Sequence, residues 1–268
     1  MRERAGGRSP SRRPVTSSLP AMAAGGWLVL CSVADPSALW VYERLRARGR
    51  ATVSLVLVES LAAGDVRWDH RVDDGGATLV LSGADGARLD GRRIRAVLNR
   101  VLTAPLQAVA LAELADRDYV TNELAAFAPS WLRALSATVI NQPNPHGLTG
   151  RWRAPLEWRV LASRAGLPTA AMRIASDDGA DPQSVGLDEP SSWVLAVDGR
   201  VLDAGAPPAL HAAVARLSWR VDVRVLGLRF RGADAAAAGW RLMDASSSPD
   251  LSLAGESGVA ALEQALST

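Results

Sequence analysis

The order of apolar segments near the start of this 268-residue chain most constrains its fold. WLVLCSV (27–33) is a continuous apolar run of strand length, and TVSLVLVES (52–60) is a second one. Between them, DPSALWVYERLRARG offers Asp35 as a helix cap, Pro36 at the first helical position and Gly49 as a stop. A strand, helix, strand unit favours a parallel sheet covered by helices, so we expect an α/β protein.

Further patterns predict the elements up to residue 175. VRWDHRV and ATLVLSG are shorter strands separated by the turn residues DDGG, and IRAVLNR (94–100) is another apolar strand. Apolar residues recur at helical spacing from Asp116 to Leu135, although Pro129 should kink or divide that helix. ATVINQP then predicts a strand, APLEWRVLASRAGLPTA predicts a helix, and residues 170–174 predict a strand.

The C-terminal part of the chain has the clearest local signal. WVLAVDGRVLDAG predicts two strands joined by Asp198 and Gly199, a pair typical of a tight type I′ hairpin. A helix at 207–218, the strands DVRVLGLRF and GWRLMDA, and a helix near 257–266 should follow. We therefore predict four regions, which are a disordered Arg/Ser/Pro-rich tail (1–24), an α/β domain (25–150), a connecting helix, strand and linker (151–192), and an α+β lobe (193–268).

Composition narrows the possible chemistry. The chain is 48% apolar, enough for a soluble globular core, and it contains no lysine, which excludes Schiff-base catalysis and a Walker A lysine. Residues 1–21 hold five arginines and one glutamate, so the overall charge of +2 leaves −2 for the remaining residues. We find no arginine stripe interleaved with aromatic residues and no apolar run of about 20 residues, so neither a nucleic acid nor a membrane is an expected partner.

The cysteine and the histidines give no sign of a reactive or metal site. Cys31 is the only cysteine and falls in a predicted buried strand, and His70, His146 and His211 lack metal-ligand spacing. The segment before Cys31 resembles an export signal only poorly, because glycines split its apolar run and Leu30 stands where a small residue belongs. We therefore expect a cytoplasmic protein, whose translation could also start at Met22.

Three common functional motifs are missing. The segment after the first strand, CSVADPSA, has no glycine, so neither a dinucleotide-binding fingerprint nor a phosphate loop is present. No G-x-S-x-G elbow occurs either, so a serine hydrolase has no support.

Several phrases in a fixed order resemble ATP-grasp proteins of the glutamate-ligase and peptide-maturase kind. They are VLNR (97–100), YVTNELAAFAPSWLRALSATVINQPNP (119–145), RAPLEWRVLASRAGLPT (153–169), and later VLAVDGRVLDAG, VLGLRF and WRLMDASSSPDL. The resemblance covers about residues 25–175 and 193–268. It implies an N-terminal Rossmann-like (pre-ATP-grasp) α/β domain followed by a reduced ATP-grasp-like α+β C-terminal lobe. It also marks Asn99, Arg100 and Asn141 as candidate substrate-binding or partner-binding residues.

The departures from this family concern its nucleotide and metal sites. Residues 170–192 stand where the family has a whole lobe that holds the adenine and presents lysines to the phosphates. Arg153 takes the place of a lysine, which makes it the candidate ATP-phosphate ligand. Of the expected metal ligands, Asp244 remains at the glutamate position with Asp250 nearby. Arg229 and Phe230 stand where an aspartate is usual, and Ser246 replaces an asparagine.

Two principal functional hypotheses follow from the resemblance. In the first, the chain is a degenerate, shortened ATP-grasp relative without ligase activity that binds a peptide or partner protein in a bacterial peptide-modification pathway, with no cofactor. In the second, it is an ATP-dependent carboxylate–amine ligase that uses ATP and Mg²⁺ through Arg153, Asp244 and Asp250. An α/β protein unrelated to this family is a third possibility. The sequence does not predict the oligomeric state.

Overall fold

A computed structural model describes Leu19 and residues 25–50, 52–62, 66–74, 76–104, 106–135, 137–171, 191–202, 206–232 and 239–268. The rest of the predicted tail, residues 172–174 of a predicted strand and nearly all of the predicted linker lie outside the described residues.

The described residues form eleven strands and six α-helices. In chain order the elements are β1 (Gly26–Cys31), α1 (Pro36–Ala47), β2 (Val53–Leu57), α2 (Val58–Ala62), β3 (Val66–Asp73), β4 (Gly76–Gly83), β5 (Arg88–Asp90), β6 (Ile94–Asn99), α3 (Arg117–Arg133), β7 (Thr138–Ile140), α4 (Pro155–Arg164), β8 (Ser191–Val197), β9 (Arg200–Val201), α5 (Pro208–Val221), β10 (Val225–Arg231), β11 (Arg241–Ser246) and α6 (Gly255–Ser267).

The first sheet is parallel, as the opening of the sequence predicts. Its strand order is β2-β1-β6-β7, and every residue of β1 is buried. The Asp35 side chain caps α1 by accepting a hydrogen bond from the Ala38 N–H, Pro36 begins the helix, and Gly49 follows its end with φ of 81°. Cys31 is fully buried, and burial, followed by the charges of Asp35 and Glu59, raises the pKa of its thiol to about 12.

A second, antiparallel sheet of order β3-β4-β5 stands between β2 and β6 in the chain. It shares a core with α3, in which Trp68 meets the rings of Phe127 and Trp131 edge-on at 5.3 Å. Helix α3 continues across Pro129, so of the two predicted effects of this proline the division is wrong, and the kink stays a prediction. Proline removes one hydrogen bond from the helix, and the packing of Trp131 and Leu132 against the core compensates for that loss.

The third sheet, of order β11-β10-β8-β9, is antiparallel. The predicted hairpin between β8 and β9 is confirmed, since Asp198 and Gly199 have φ of 50° and 73°. A side chain on Gly199 would place its Cβ 3.0 Å from the Ala215 Cα, so helix α5 also requires glycine there. Helices α4 and α5 cover one face of this sheet through a core that includes Val194, Leu226 and Phe230.

The opposite face of the third sheet shares a core with the parallel sheet. This core contains Val29 and Leu98 from the parallel sheet, Leu195 from β8, and Val259 and Leu262 from α6. The two sheets are therefore joined by apolar packing through α6. The division predicted at residue 150 stays a prediction. Within the part of the chain described, no helix combines the length and the apolar character that a membrane span requires.

Candidate functional site

Polar residues cluster where β6 and β7 end, at the carboxyl edge of the parallel sheet. The Asn99 side chain is 1% exposed, and its Nδ2 donates to the carbonyl oxygens of Asn141 at 3.2 Å and Leu148 at 2.6 Å. Its Oδ1 accepts a hydrogen bond from the Val101 N–H at 3.2 Å. Asn99 therefore holds together the segments that follow the two strands.

Asn141 connects this edge to the third sheet. Its Nδ2 donates to the carbonyl oxygens of Val225 at 2.9 Å and Ser247 at 2.7 Å, and its Oδ1 accepts from the Val225 N–H at 2.9 Å. The residue is buried and has φ of 57°, a conformation that asparagine adopts more readily than most residues. All three of these hydrogen bonds join its carboxamide to backbone groups of the protein.

Arg100 is the third residue predicted at this edge. Its Nε donates to the Asp35 carboxylate at 2.8 Å and its Nη2 to the Ser37 hydroxyl at 3.4 Å, while Nη1 is buried without an acceptor. Burial raises the pKa of Asp35, but hydrogen bonds and charge from Arg100, together with hydrogen bonds from Ala38 and Ser37, outweigh burial and lower it. Arg100 and Asp35 therefore form a mostly buried ion pair.

Arg153 lies beside a cavity of about 180 Å³ that we call the serine cavity. It is lined by Leu102, residues 147–153, Trp158 and residues 245–248. The Arg153 side chain is 9% exposed, and its Nη1 and Nη2 donate to the carbonyl oxygens of Arg151 and Val221. Its Nε has no acceptor, the nearest carboxylate being that of Glu157 at 3.7 Å. Burial is the main cause that lowers the Arg153 pKa.

The structure gives the two predicted metal ligands separate local roles. Asp244 lies opposite Arg229 in the pairing of β10 with β11, and its Oδ1 accepts from the Ala245 N–H at 2.8 Å. Asp250 accepts from the N–H and the hydroxyl of Ser252, at 2.8 and 2.6 Å, and so caps the short helix at 251–254. Among the described residues, no group of three or more His, Cys, Asp and Glu side chains could hold a metal ion.

Arg159, which no sequence pattern identifies as a candidate, also lies in this region. Arg159 of α4 donates to the carbonyl oxygens of Met243 at 2.9 Å and Ala170 at 3.1 Å. Burial is the main cause that lowers its pKa, and the positive charges of Arg231 and Arg229 add to this effect against the opposing charge of Asp244. The sequence places Arg159 on the predicted helix α4. No local sequence pattern shows that its side chain binds the Met243 carbonyl of β11. The charges around Asp244 are thus mainly positive.

Comparisons with known proteins give matches among solved structures alone. No known protein family matches the sequence. No curated protein matches it either.

The structural matches include two macrocyclases and an ATP-grasp ligase, two of which are bound to peptides. The macrocyclase MdnC from Microcystis aeruginosa MRC, bound with precursor peptide MdnA, gives a TM-score of 0.63 at 11% identity, covering 91% of this chain and 100% of that one. The macrocyclase MdnB from the same organism gives 0.59 at 15% identity, covering 88% and 97%. The Chryseobacterium gregarium RiPP-associated ATP-grasp ligase, in complex with ADP and a leader and core peptide, gives 0.62 at 11% identity, covering 88% and 95%.

At these identities, the likeness shows the fold. The chain has the mixed α/β fold of the ATP-grasp ligases that modify peptides, which confirms the coarse fold class expected from the order of its sequence phrases. The predicted roles of Asn99, Arg100, Asn141, Arg153, Asp244 and Asp250 in ligand binding stay predictions.

Asn141 provides a first test of how the two sheets are held together. We expect Asn141→Gly to lower the free energy of unfolding by about 2 kcal/mol, because buried backbone groups of Val225 and Ser247 lose their partners. Glycine adopts positive φ without strain, so the loss reports the missing carboxamide. Urea unfolding followed by tryptophan fluorescence measures it, and an unchanged midpoint and slope would contradict the account.

The ion pair between Arg100 and Asp35 predicts a dependence of stability on pH. Because folding lowers the Asp35 pKa, the stabilisation is present at neutral pH and is lost as the pH falls below about 4, towards the pKa of the folded state. We expect Asp35→Asn, which keeps a helix cap, to cost about 2 kcal/mol at neutral pH. Thermal unfolding of both proteins between about pH 7 and pH 2 should show this difference shrinking. A difference that stays constant over that range would refute the assignment.

Proposed function

We propose that the chain is a binding module of a bacterial peptide-modification pathway, with the fold of a peptide-modifying ATP-grasp ligase but without ATP-dependent ligation. It is a degenerate relative in the cytoplasm whose ligand is a peptide or a partner protein. The observation that carries this proposal is the charge around Asp244, a half-buried residue and the one carboxylate that the predicted metal site has on strands β10 and β11.

The donor set does not fit Mg²⁺. Magnesium in proteins requires oxygen ligands in near-octahedral geometry, usually carboxylates together with phosphate oxygens and water. Asp244 lies opposite Arg229 and feels the charge of Arg159, and the Asp250 carboxylate already accepts two hydrogen bonds from Ser252. A divalent cation at Asp244 would therefore meet the repulsion of nearby guanidinium groups.

The groups that could bind the phosphates of ATP are also few. The chain has no lysine, and two nitrogens of the Arg153 guanidinium donate to backbone carbonyls. The serine cavity measures about 180 Å³. Pockets that bury a ligand the size of a drug or cofactor hold roughly 300–1,000 Å³. The cavity between Arg153 and the serines therefore has room for a small anion and is too small to enclose a nucleoside triphosphate.

Two of the similar structures support a peptide as the ligand. MdnC is bound with a precursor peptide, and the Chryseobacterium gregarium ligase is in complex with a leader and core peptide. A relative that keeps this fold and loses the metal ligands retains a scaffold suited to peptide recognition. Binding without turnover suits a subunit that presents a peptide to another enzyme.

One observation favours the alternative, an ATP-dependent carboxylate–amine ligase. The Nε of Arg153 is buried without an acceptor beside the serine cavity, and a phosphate oxygen could accept from it. In that alternative Arg153 would bind a phosphate of ATP, while Asp244 and Asp250 would bind the accompanying Mg²⁺. The positive charges around Asp244 weigh against it.

Isothermal titration with ATP and Mg²⁺ separates the two functions. We expect no saturable binding tighter than about 1 mM, and the same result for the matched variant Asp244→Asn. Tighter binding in the natural protein that Asp244→Asn abolishes would contradict the proposal and favour the ligase alternative. Equal unfolding temperatures of the two proteins would show that the variant keeps its fold.

A further inference from the structure

We infer that an extended peptide binds as an added strand along the outer edge of β7, with a basic side chain placed beside Asp222 and Trp219. This inference rests on the proposed peptide-binding function and names the surface and the chemistry of the peptide. No residue predicted from the sequence to bind ATP or metal takes part.

The first observation is the open edge of β7. This strand is last in the order β2-β1-β6-β7, and it pairs with β6 through Thr138, Val139 and Ile140. Among the described residues, no other segment pairs with its outer side or makes a backbone hydrogen bond to these three residues. A sheet edge of this kind presents N–H and C=O groups that another strand can pair with.

The second observation is that cavities lie next to β7 on both faces of the sheet, one face toward the core with α3 and the other toward the core with α6. Two open cavities of about 500 and 470 Å³ share Thr138, Asp222 and Arg224 among their lining residues. A third cavity of about 130 Å³ is lined by Leu132 and Leu135 of the α3 region together with Val139. Val139 belongs to the core with α3, whereas Ile140 belongs to the core with α6, so successive residues of β7 face opposite sides.

These spaces match the geometry of an added strand. A paired strand lies about 4.8 Å away, and its side chains alternate between the two faces of the sheet. Side chains on one face would enter the small cavity beside Leu132 and Leu135, and those on the other face would enter the larger cavities beside Asp222. We call the combined surface of Thr138, Val139, Gln142, Trp219, Asp222 and Arg224 the edge groove.

Charge and exposure indicate which peptide fits the edge groove. Among the residues that line the larger cavities, Arg224 donates to the Asp198 carboxylate at 2.6 and 2.9 Å. The Asp222 carboxylate adds a second negative charge to this lining, and Arg153 offsets part of that charge from outside the cavity. Trp219 in the same cavity is 79% exposed, and an indole face attracts a guanidinium or ammonium group. The small cavity is lined by Leu132, Leu135, Ala137, Val139 and Pro143, together with Arg133 and Gln142. The expected ligand is therefore an extended segment in which aliphatic residues alternate with arginine or lysine.

A blocked seven-residue peptide of alternating valine and arginine is the probe. We expect it to bind the full chain, to shift the backbone amide signals of residues 138–142 in NMR spectra, and to change the Trp219 fluorescence. Trp219→Ala and Asp222→Asn should each weaken binding about fivefold. Asparagine suits the φ of 53° at position 222, and Trp152→Ala, which removes another exposed tryptophan outside the groove, is the matched control.

Backbone methylation distinguishes strand addition from other binding in the groove. One isomer of the probe carries N-methyl groups on the valines and the other carries them on the arginines. Because alternate N–H groups of a strand point to opposite edges, one isomer should lose about tenfold in affinity while the other keeps it. Equal affinities of the two isomers would overturn the inference.

The remaining outcomes are equally decisive. Absence of probe binding overturns the edge groove as a peptide site, as does binding that depends on Trp152 and not on Trp219. If the amide signals of residues 138–142 shift with protein concentration alone, the edge serves a second copy of the chain and the inference is wrong. The proposed absence of ATP-dependent ligation fails separately, through saturable binding of ATP and Mg²⁺ that requires Asp244, a result that leaves the edge groove untouched.

Discussion

The buried carboxamide of Asn141 is the contact on which the arrangement of the two larger sheets depends. Pairing of β10 with β11 begins at Gly227, so the N–H and C=O of Val225 lie beyond the end of β11. Asn141 provides an acceptor and a donor for these two groups and also binds the Ser247 carbonyl. A buried backbone group without a partner costs free energy comparable to a lost hydrogen bond, so the end of the parallel sheet is held at this position on the third sheet.

Hydrogen bonds within the protein also determine which polar groups of the candidate site are free to bind a ligand. Asn99 and Asn141 bind backbone groups of the protein, Arg100 pairs with Asp35, and Asp250 caps a helix. The groups left near the serine cavity and Asp244 are mainly cationic, because Arg153, Arg159 and Arg229 are all present there. A fold shared with ATP-grasp ligases thus carries a positively charged surface where metal binding would require negative charge.

The sequence predicts most of the local structure because local rules determine it. The cap at Asp35, the buried strand β1, and the hairpin at Asp198 and Gly199 depend on residues close together in the chain. The predicted strand at 52–60 is too long, because β2 ends at Leu57 and α2 begins at Val58. At Pro129 the core contacts of α3 outweigh the local rule that proline divides a helix.

The functional region is less predictable because its contacts join distant segments. Asn141 binds Val225, 84 residues away, and Arg159 binds Met243, also 84 residues away. The sequence phrases identify Asn141 and Asp244 as candidates, but they do not show that Asn141 makes a structural bridge or that arginines surround Asp244. The edge groove has no local signature, because it combines β7 with the end of α5 and the residues before β10.

Crystals grown with ATP and Mg²⁺ test the central claim most directly, namely that the charges around Asp244 exclude a metal-bound triphosphate. The account predicts no nucleotide density beside residues 244–250 and at most a small anion near Arg153. Ordered phosphates linked to Asp244 through a cation would contradict it.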